Sequence, residues 1–190
     1  MTDTAGQHTF GPSALATPAN ALTVGRLLAT PLFVALIVVQ GATWLTAGVG
    51  AVVAFSDGFD GWLARRQGTT RSGAFLDPLA DKVIVLASLF ALAWEHRLPW
   101  APIVLIALRE VGMSVYRSWA GRRGVSIPAR NSAKIKTLVQ DLAIASCVLP
   151  PLASATAVHL ILIWAACILT LYTGGQYWVD GRRALREAAA

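Results

Sequence analysis

Charge is scarce in this chain: 14% of its 190 residues are Asp, Glu, Lys or Arg, against 55% that are hydrophobic. A soluble domain of this length carries roughly a quarter charged residues. The scarcity is also uneven, because the apolar residues gather into long windows almost free of charge. A hydrocarbon layer of about 30 Å demands such windows of spanning helices. Cysteine is nearly absent. Cys147 and Cys167 both fall in apolar windows, which excludes a disulfide framework. Three histidines, His8, His96 and His159, have no second His or Cys at ligand spacing, which excludes a zinc site. Met1 to Thr17 hold no Lys or Arg and no apolar run. They do not make a secretory signal and read as a disordered cytosolic leader, residues 1–17. No internal repeat or long linker divides the rest, so 18–190 reads as a single membrane domain. The net charge of +6 raises nucleic acid as a partner. The cations cluster between apolar windows, however, where loops meet the cytoplasm and anionic lipid, so no nucleic acid is expected.

Six windows are long enough to cross: about Leu22–Gln40, Thr43–Leu63, Gly73–Trp94, Trp100–Trp119, Ala133 to the Pro150–Pro151 pair, and Thr156–Trp178. Arg65, Arg66 and Arg71 lie between the second and third. Arg117, Arg122, Arg123, Arg130, Lys134 and Lys136 lie around the connection from the fourth to the fifth, and Arg182, Arg183 and Arg186 follow the sixth. The opposite connections, 41–43, 95–99 and 150–156, hold a single basic residue, Arg97. Positive-inside bias then puts both termini in the cytoplasm, which requires an even number of spans. The expected fold is all-α, a polytopic membrane protein with six transmembrane helices. Trp44, Trp94, Trp100 and Trp178 sit near span ends as an interfacial belt.

Of only ten acidic residues, four fall in one stretch, SDGFDGWLARRQGTTRSGAFLDPLADK. Asp57 and Asp60 are three apart and Asp77 and Asp81 four apart, so each pair shares a helix face. A short basic loop joins the two helices, which makes them antiparallel neighbours whose acidic faces can meet. Carboxylates converging at membrane depth need a neutralising partner. Hard divalent cations such as Mg²⁺ or Mn²⁺ suit an all-oxygen site, and a pair of them suits phosphoryl chemistry. Small Gly61 and Ala64 on the acidic face let a substrate approach the backbone, and Arg65 can reach a phosphate bidentately. The plainer reading pairs these acids with Arg65, Arg66, Arg71 and Lys82 at the interface. A cation transporter or channel would explain the acids but not the Gly, Ala and Arg between them.

Asp57-x2-Asp60-Gly61-x2-Ala64-Arg65 followed by Gly73-x3-Asp77-x3-Asp81 resembles the signature of the CDP-alcohol phosphatidyltransferases. Seven residues separate Arg65 from Gly73 where the family pattern is expected to have eight, and the shortening falls in the loop. Pro18-Ala-Asn20-Ala-Leu22-Thr23-x2-Arg26 with Pro31 is similar to the family's opening span. Arg109-Glu110, Arg117 and Lys134-Ile-Lys136-Thr137 with Gln140 resemble the branch that makes phosphatidylglycerol phosphate. The resemblance implies a polar cavity open to the cytoplasmic leaflet of a cell inner membrane. It implies that Asp57, Asp60, Asp77 and Asp81 hold a pair of divalent metal ions, with Asp81 also the general base. Gly61, Ala64, Arg65 and Gly73 would bind the CDP donor. The implied reaction is attack by an acceptor hydroxyl on the β-phosphorus of CDP-diacylglycerol, expelling CMP.

Arg109, Arg117, Lys134 and Lys136 are the candidates for holding an anionic acceptor such as glycerol 3-phosphate. Arg109 lies well inside an apolar window beside Glu110, where an ion pair between the two is the plain alternative. Lys134 and Lys136 point to different helix faces, so one of them can simply snorkel to lipid headgroups. Phosphatidylglycerol, as in cardiolipin synthesis, and inositol phosphate are the rival acceptors. Small residues in the spans would support a homodimer or, equally, tight packing within one bundle.

Overall fold

The computed structural model describes residues 18–67, 73–122 and 131–187, and the side chains of 24–56, 80–122 and 134–184. Among them are six α-helices and no strand: α1 Pro18–Gln40, α2 Trp44–Gln67, α3 Gly73–Trp94, α4 Trp100–Arg122, α5 Asn131–Val148 and α6 Thr156–Glu187, with a single 3-10 turn at Pro150–Leu152. Each helix falls on one of the expected windows. The helices α2, α4 and α6 run beyond theirs, to Gln67, Arg122 and Glu187. Apolar patterning marks only the lipid-length part of a helix, and good helix formers such as Arg and Ala continue it past that point.

Local chemistry explains the boundaries. Pro18 opens α1, where its missing N–H costs nothing. Gly41 closes it with φ 65° and donates its N–H to the Leu36 and Ile37 carbonyls, both at 3.1 Å, as a left-handed cap does. Thr43 caps α2, its Oγ1 accepting the Thr46 N–H at 3.2 Å. Residue His96, at φ 57°, ends α3 in the same left-handed way, and the Arg97 N–H returns to the Leu92 carbonyl at 2.9 Å. The Pro150–Pro151 pair stops α5 because neither residue can donate to the ladder.

The bundle is polarised along its length. Phe33 and Ile37 of α1, Leu89 and Leu92 of α3, Ile103 and Ile106 of α4, Ala143 and Cys147 of α5, and Ile163 and Ala166 of α6 are all buried in one cluster. Their three- and four-residue spacings mark one apolar stripe per helix. All lie toward the end where the short connections 41–43, 95–99 and 149–155 turn the chain. Arg97 donates from its NH1 to the Cys147 carbonyl at 3.0 Å, tying the α3–α4 turn to the end of α5. The His159 Nε2 meets the carbonyls of Ser146 at 3.0 Å and Leu152 at 2.9 Å. Two carbonyl partners require that this nitrogen carries the proton. His159→Ala strips both carbonyls of their donor, a loss of about 1–3 kcal/mol, and is expected to lower the melting temperature by roughly 5 °C in a detergent thermal-shift assay.

The outer faces are apolar. Leu28, Val39 and Phe55 are 74%, 80% and 74% exposed, and Leu108, Val115, Ile161 and Ile168 also point outward. Among the described residues, Thr156–Ala184 is the one helical stretch long and apolar enough by itself to cross a bilayer, while Val24–Gln40 and Trp44–Ser56 are shorter apolar stretches. Arg109 and Glu110 interrupt α4, and Lys134, Lys136 and Asp141 interrupt α5.

Candidate active site

The other end of the bundle is polar. There α3 contributes Asp81 and Lys82, α4 Arg109, Glu110 and Arg117, α5 Lys136, Thr137 and Gln140, and α6 Tyr177, to the wall of a cavity of about 150 Å³. Helical spacing accounts for the set. Glu110, Met113 and Arg117 recur along one face of α4, and Lys136, Thr137 and Gln140 occupy a single turn of α5.

Glu110 is the hub. It is 4% exposed, and its Oε1 lies 2.9 Å from Arg109 NH1 and in contact with Lys136 Nζ. The Lys82 ammonium is 3.7 Å from Oε2. Ser114 completes the group: its hydroxyl donates to the Glu110 carbonyl at 2.8 Å and accepts from Lys82 Nζ. Arg109 in turn donates from NH2 to Thr173 Oγ1 at 3.0 Å, and its guanidinium carbon sits 5.9 Å from the Tyr177 ring centroid, within cation–π range. Three helices, α3, α4 and α5, thereby meet at one carboxylate, and Arg109 extends the network to α6. Gly174 makes room for this arrangement, since a Cβ there would lie 3.0 Å from Arg109 Nε and 3.2 Å from its Cγ. Gly174→Val is accordingly expected to push Arg109 off Thr173 and Glu110 and to lower the melting temperature in a detergent thermal-shift assay, whereas Gly174→Ala, which adds the Cβ alone, is expected to lower it less.

The sequence-derived candidates divide as follows. Arg109, Arg117 and Lys136 come together on the cavity wall with Asp81. Lys136 is buried, whereas Lys134 is exposed and stands apart from the cavity. The plain alternative for Arg109 is also present, because it does pair with Glu110. Asp57, Asp60, Gly61, Ala64 and Arg65 lie on α2, and Gly73 and Asp77 on the start of α3; their side chains are outside those described. Among the described residues no group of three metal-ligating side chains gathers. The donor chemistry nevertheless fits a divalent metal. Every member of the set is a carboxylate, and Asp81, its one described member, is half-buried on the cavity wall. Two residues of the site carry little signal in the sequence. Glu110 was visible as a rare acid inside an apolar window, but its partners Lys82 and Lys136 are remote in the chain. Gly174 gave no signal beyond being small.

A buried cationic wall beside a half-buried aspartate, one helical turn from Asp77, suits an anionic ligand. The chain belongs to the CDP-alcohol phosphatidyltransferase family, whose pattern matches residues 16–172. It is 40% identical over 183 residues to a Mycobacterium tuberculosis protein named "Probable phosphatidylglycerophosphate synthase", covering 93% of this chain and 86% of the relative. It is 36% identical over 175 residues to the "CDP-diacylglycerol--glycerol-3-phosphate 3-phosphatidyltransferase" of Escherichia coli K12, covering 87% of this chain and 95% of that protein. The Shigella flexneri protein of the same name gives the same figures. The chain is therefore a phosphatidyltransferase, a membrane-associated enzyme of lipid synthesis.

Proposed function

We propose that the chain transfers a phosphatidyl group from CDP-diacylglycerol to a hydroxyl of glycerol 3-phosphate, releasing CMP and phosphatidylglycerol phosphate. The observation that carries the acceptor is the charge of the cavity. Lys82, Arg109, Arg117 and Lys136 face Asp81 and Glu110, a surplus of two positive charges. A phosphate monoester carries about −1.5 to −2 at pH 7, so it matches that surplus. Phosphatidylglycerol offers only a diester with a single ionisable oxygen, which matches it less well. The names of the relatives support the same acceptor. A cation path through the acids would have to pass four cationic side chains, which argues against transport.

Asp81 is the general base of this scheme. Its carboxylate takes the proton of the acceptor hydroxyl, and the freed oxygen attacks the β-phosphorus of the donor. The bond from that phosphorus to the CMP oxygen breaks, and CMP leaves. Asp57, Asp60, Asp77 and Asp81 would hold Mg²⁺ or Mn²⁺, which would neutralise phosphate oxygens and acidify the hydroxyl. Gly61, Ala64, Arg65 and Gly73 would bind the cytidine diphosphate of the donor. Arg109, Arg117 and Lys136 hold the acceptor's phosphate so that its hydroxyl reaches Asp81. Lys134, exposed and off the cavity, serves as an interfacial charge.

The membrane arrangement follows from the outward apolar faces. Large exposed side chains on all sides of a helical bundle suit lipid rather than water. We read all six helices as spans, with both termini and the cavity on the cytoplasmic side of a cell inner membrane, because the basic residues collect at that end. The purified protein in detergent, given CDP-diacylglycerol and Mg²⁺ or Mn²⁺, is expected to release CMP when glycerol 3-phosphate is added. Release stimulated only by phosphatidylglycerol or inositol phosphate would overturn the acceptor. No release with any of them from folded protein would overturn the reaction.

A further inference from the structure

An ordinary buried ion pair sets one cation against one anion. Here three cations, Lys82, Arg109 and Lys136, converge on the single carboxylate of Glu110, and the Arg117 side chain lines the same cavity. The side chains of Arg109 and Lys136 are only 10% and 8% exposed, so water screens them poorly. A buried surplus of positive charge is costly without an anion to meet it, and the buried Arg109 Nε has no hydrogen-bond acceptor among the described residues. Such a site is built for an arriving anion. Glu110 is then the fixed point from which the cations are aimed.

Resting on the function proposed above, we infer that Glu110 is a positioning residue that fixes Lys82, Arg109 and Lys136 in register, so that the acceptor's phosphate docks where its hydroxyl reaches Asp81. Both carboxylate oxygens are engaged: Oε1 by Arg109 and Lys136, and Oε2 by Lys82. The cations therefore arrive from three helices, α3, α4 and α5, at one geometric reference. Lys82 follows Asp81 directly in the chain, which links the register of the phosphate wall to that of the general base. Glu110 also offsets one positive charge, which keeps the wall from holding a phosphate too tightly in an unproductive pose.

This separates two quantities that a merely structural ion pair would move together. In Glu110→Gln the wall gains one net positive charge and loses its reference point. The kcat for CMP release with glycerol 3-phosphate is expected to fall about 30-fold or more. Inhibition by inorganic phosphate is expected to strengthen by about threefold or more, and damage to the fold does not tighten a ligand. Glu110→Asp keeps the charge and shortens the arm by one methylene. It is expected to keep the phosphate inhibition constant within about twofold while kcat falls about tenfold. Should Glu110→Gln not fold, Glu110→Asp alone still decides, because wild-type kcat in that variant would sink the register argument. Phosphate inhibition unchanged or weakened in folded Glu110→Gln would sink it as well. The parent protein is assayed alongside. Absence of glycerol 3-phosphate turnover in the parent refutes the proposed function itself, a result distinct from a normal parent with indifferent Glu110 variants.

Discussion

Asp81→Asn is expected to lower CMP release by at least about 10³-fold while leaving the fold and the melting temperature within a few degrees of the parent. The substitution keeps the shape of the side chain but removes its negative charge and its ability to accept a proton. General acid–base catalysis is worth roughly 10²–10⁴ in rate, and the proposed metal site loses one of its carboxylates in the same change. Asp81 lines the cavity and is only half-buried, so losing its charge does not strip a deep core. Steady-state CMP release with both substrates saturating, set beside a thermal-shift curve, is the measurement. More than a tenth of parental activity in the folded variant would remove Asp81 from the chemistry.

Lys136→Met is expected to act on the other substrate. The KM for glycerol 3-phosphate rises about 10²-fold, since truncating one partner of a buried charge-assisted contact costs roughly 2–5 kcal/mol and each 1.4 kcal/mol is tenfold. The KM for CDP-diacylglycerol is expected to stay within about threefold. Methionine keeps the apolar length of the lysine, and Glu110 keeps Arg109 and Lys82 as counterions, so the fold is not left with a lone buried charge. Lys134→Met is the internal contrast. That side chain is exposed and lies off the cavity, and its replacement is expected to leave both constants within about twofold. Equal effects at positions 134 and 136 would mean that the phosphate is held elsewhere.

The two lysines also show where sequence reasoning reached its limit. Spacing alone places Lys134 and Lys136 on different faces of α5, so that one of them can simply snorkel to lipid headgroups. Which one did so depended on where α5 meets α4, a contact between residues 26 positions apart at Glu110 and Lys136. Helix existence was legible because apolar windows of that length have few other uses, and the ends were legible where Pro or Gly forced them, as at Gly41 and the Pro150–Pro151 pair. The cationic wall of the cavity was legible in part, through Arg109 stranded inside an apolar window and the lysines at the start of the fifth. The hub at Glu110, the donor role of His159 toward two carbonyls, and the clearance that Gly174 gives Arg109 were not. Each depends on a neighbouring helix, and local periodicity carries no record of such neighbours.

The apolar cluster and the cavity occupy opposite halves of the same helices and meet only around Val85 and Leu86. Free-energy changes at well-separated sites usually add. Stabilising substitutions gathered near His159 and Arg97 would therefore carry over to variants with a rebuilt phosphate wall. Robustness and substrate choice become two dials that can be turned one at a time, which makes this small bundle a practical chassis for evolving transferases toward other alcohols.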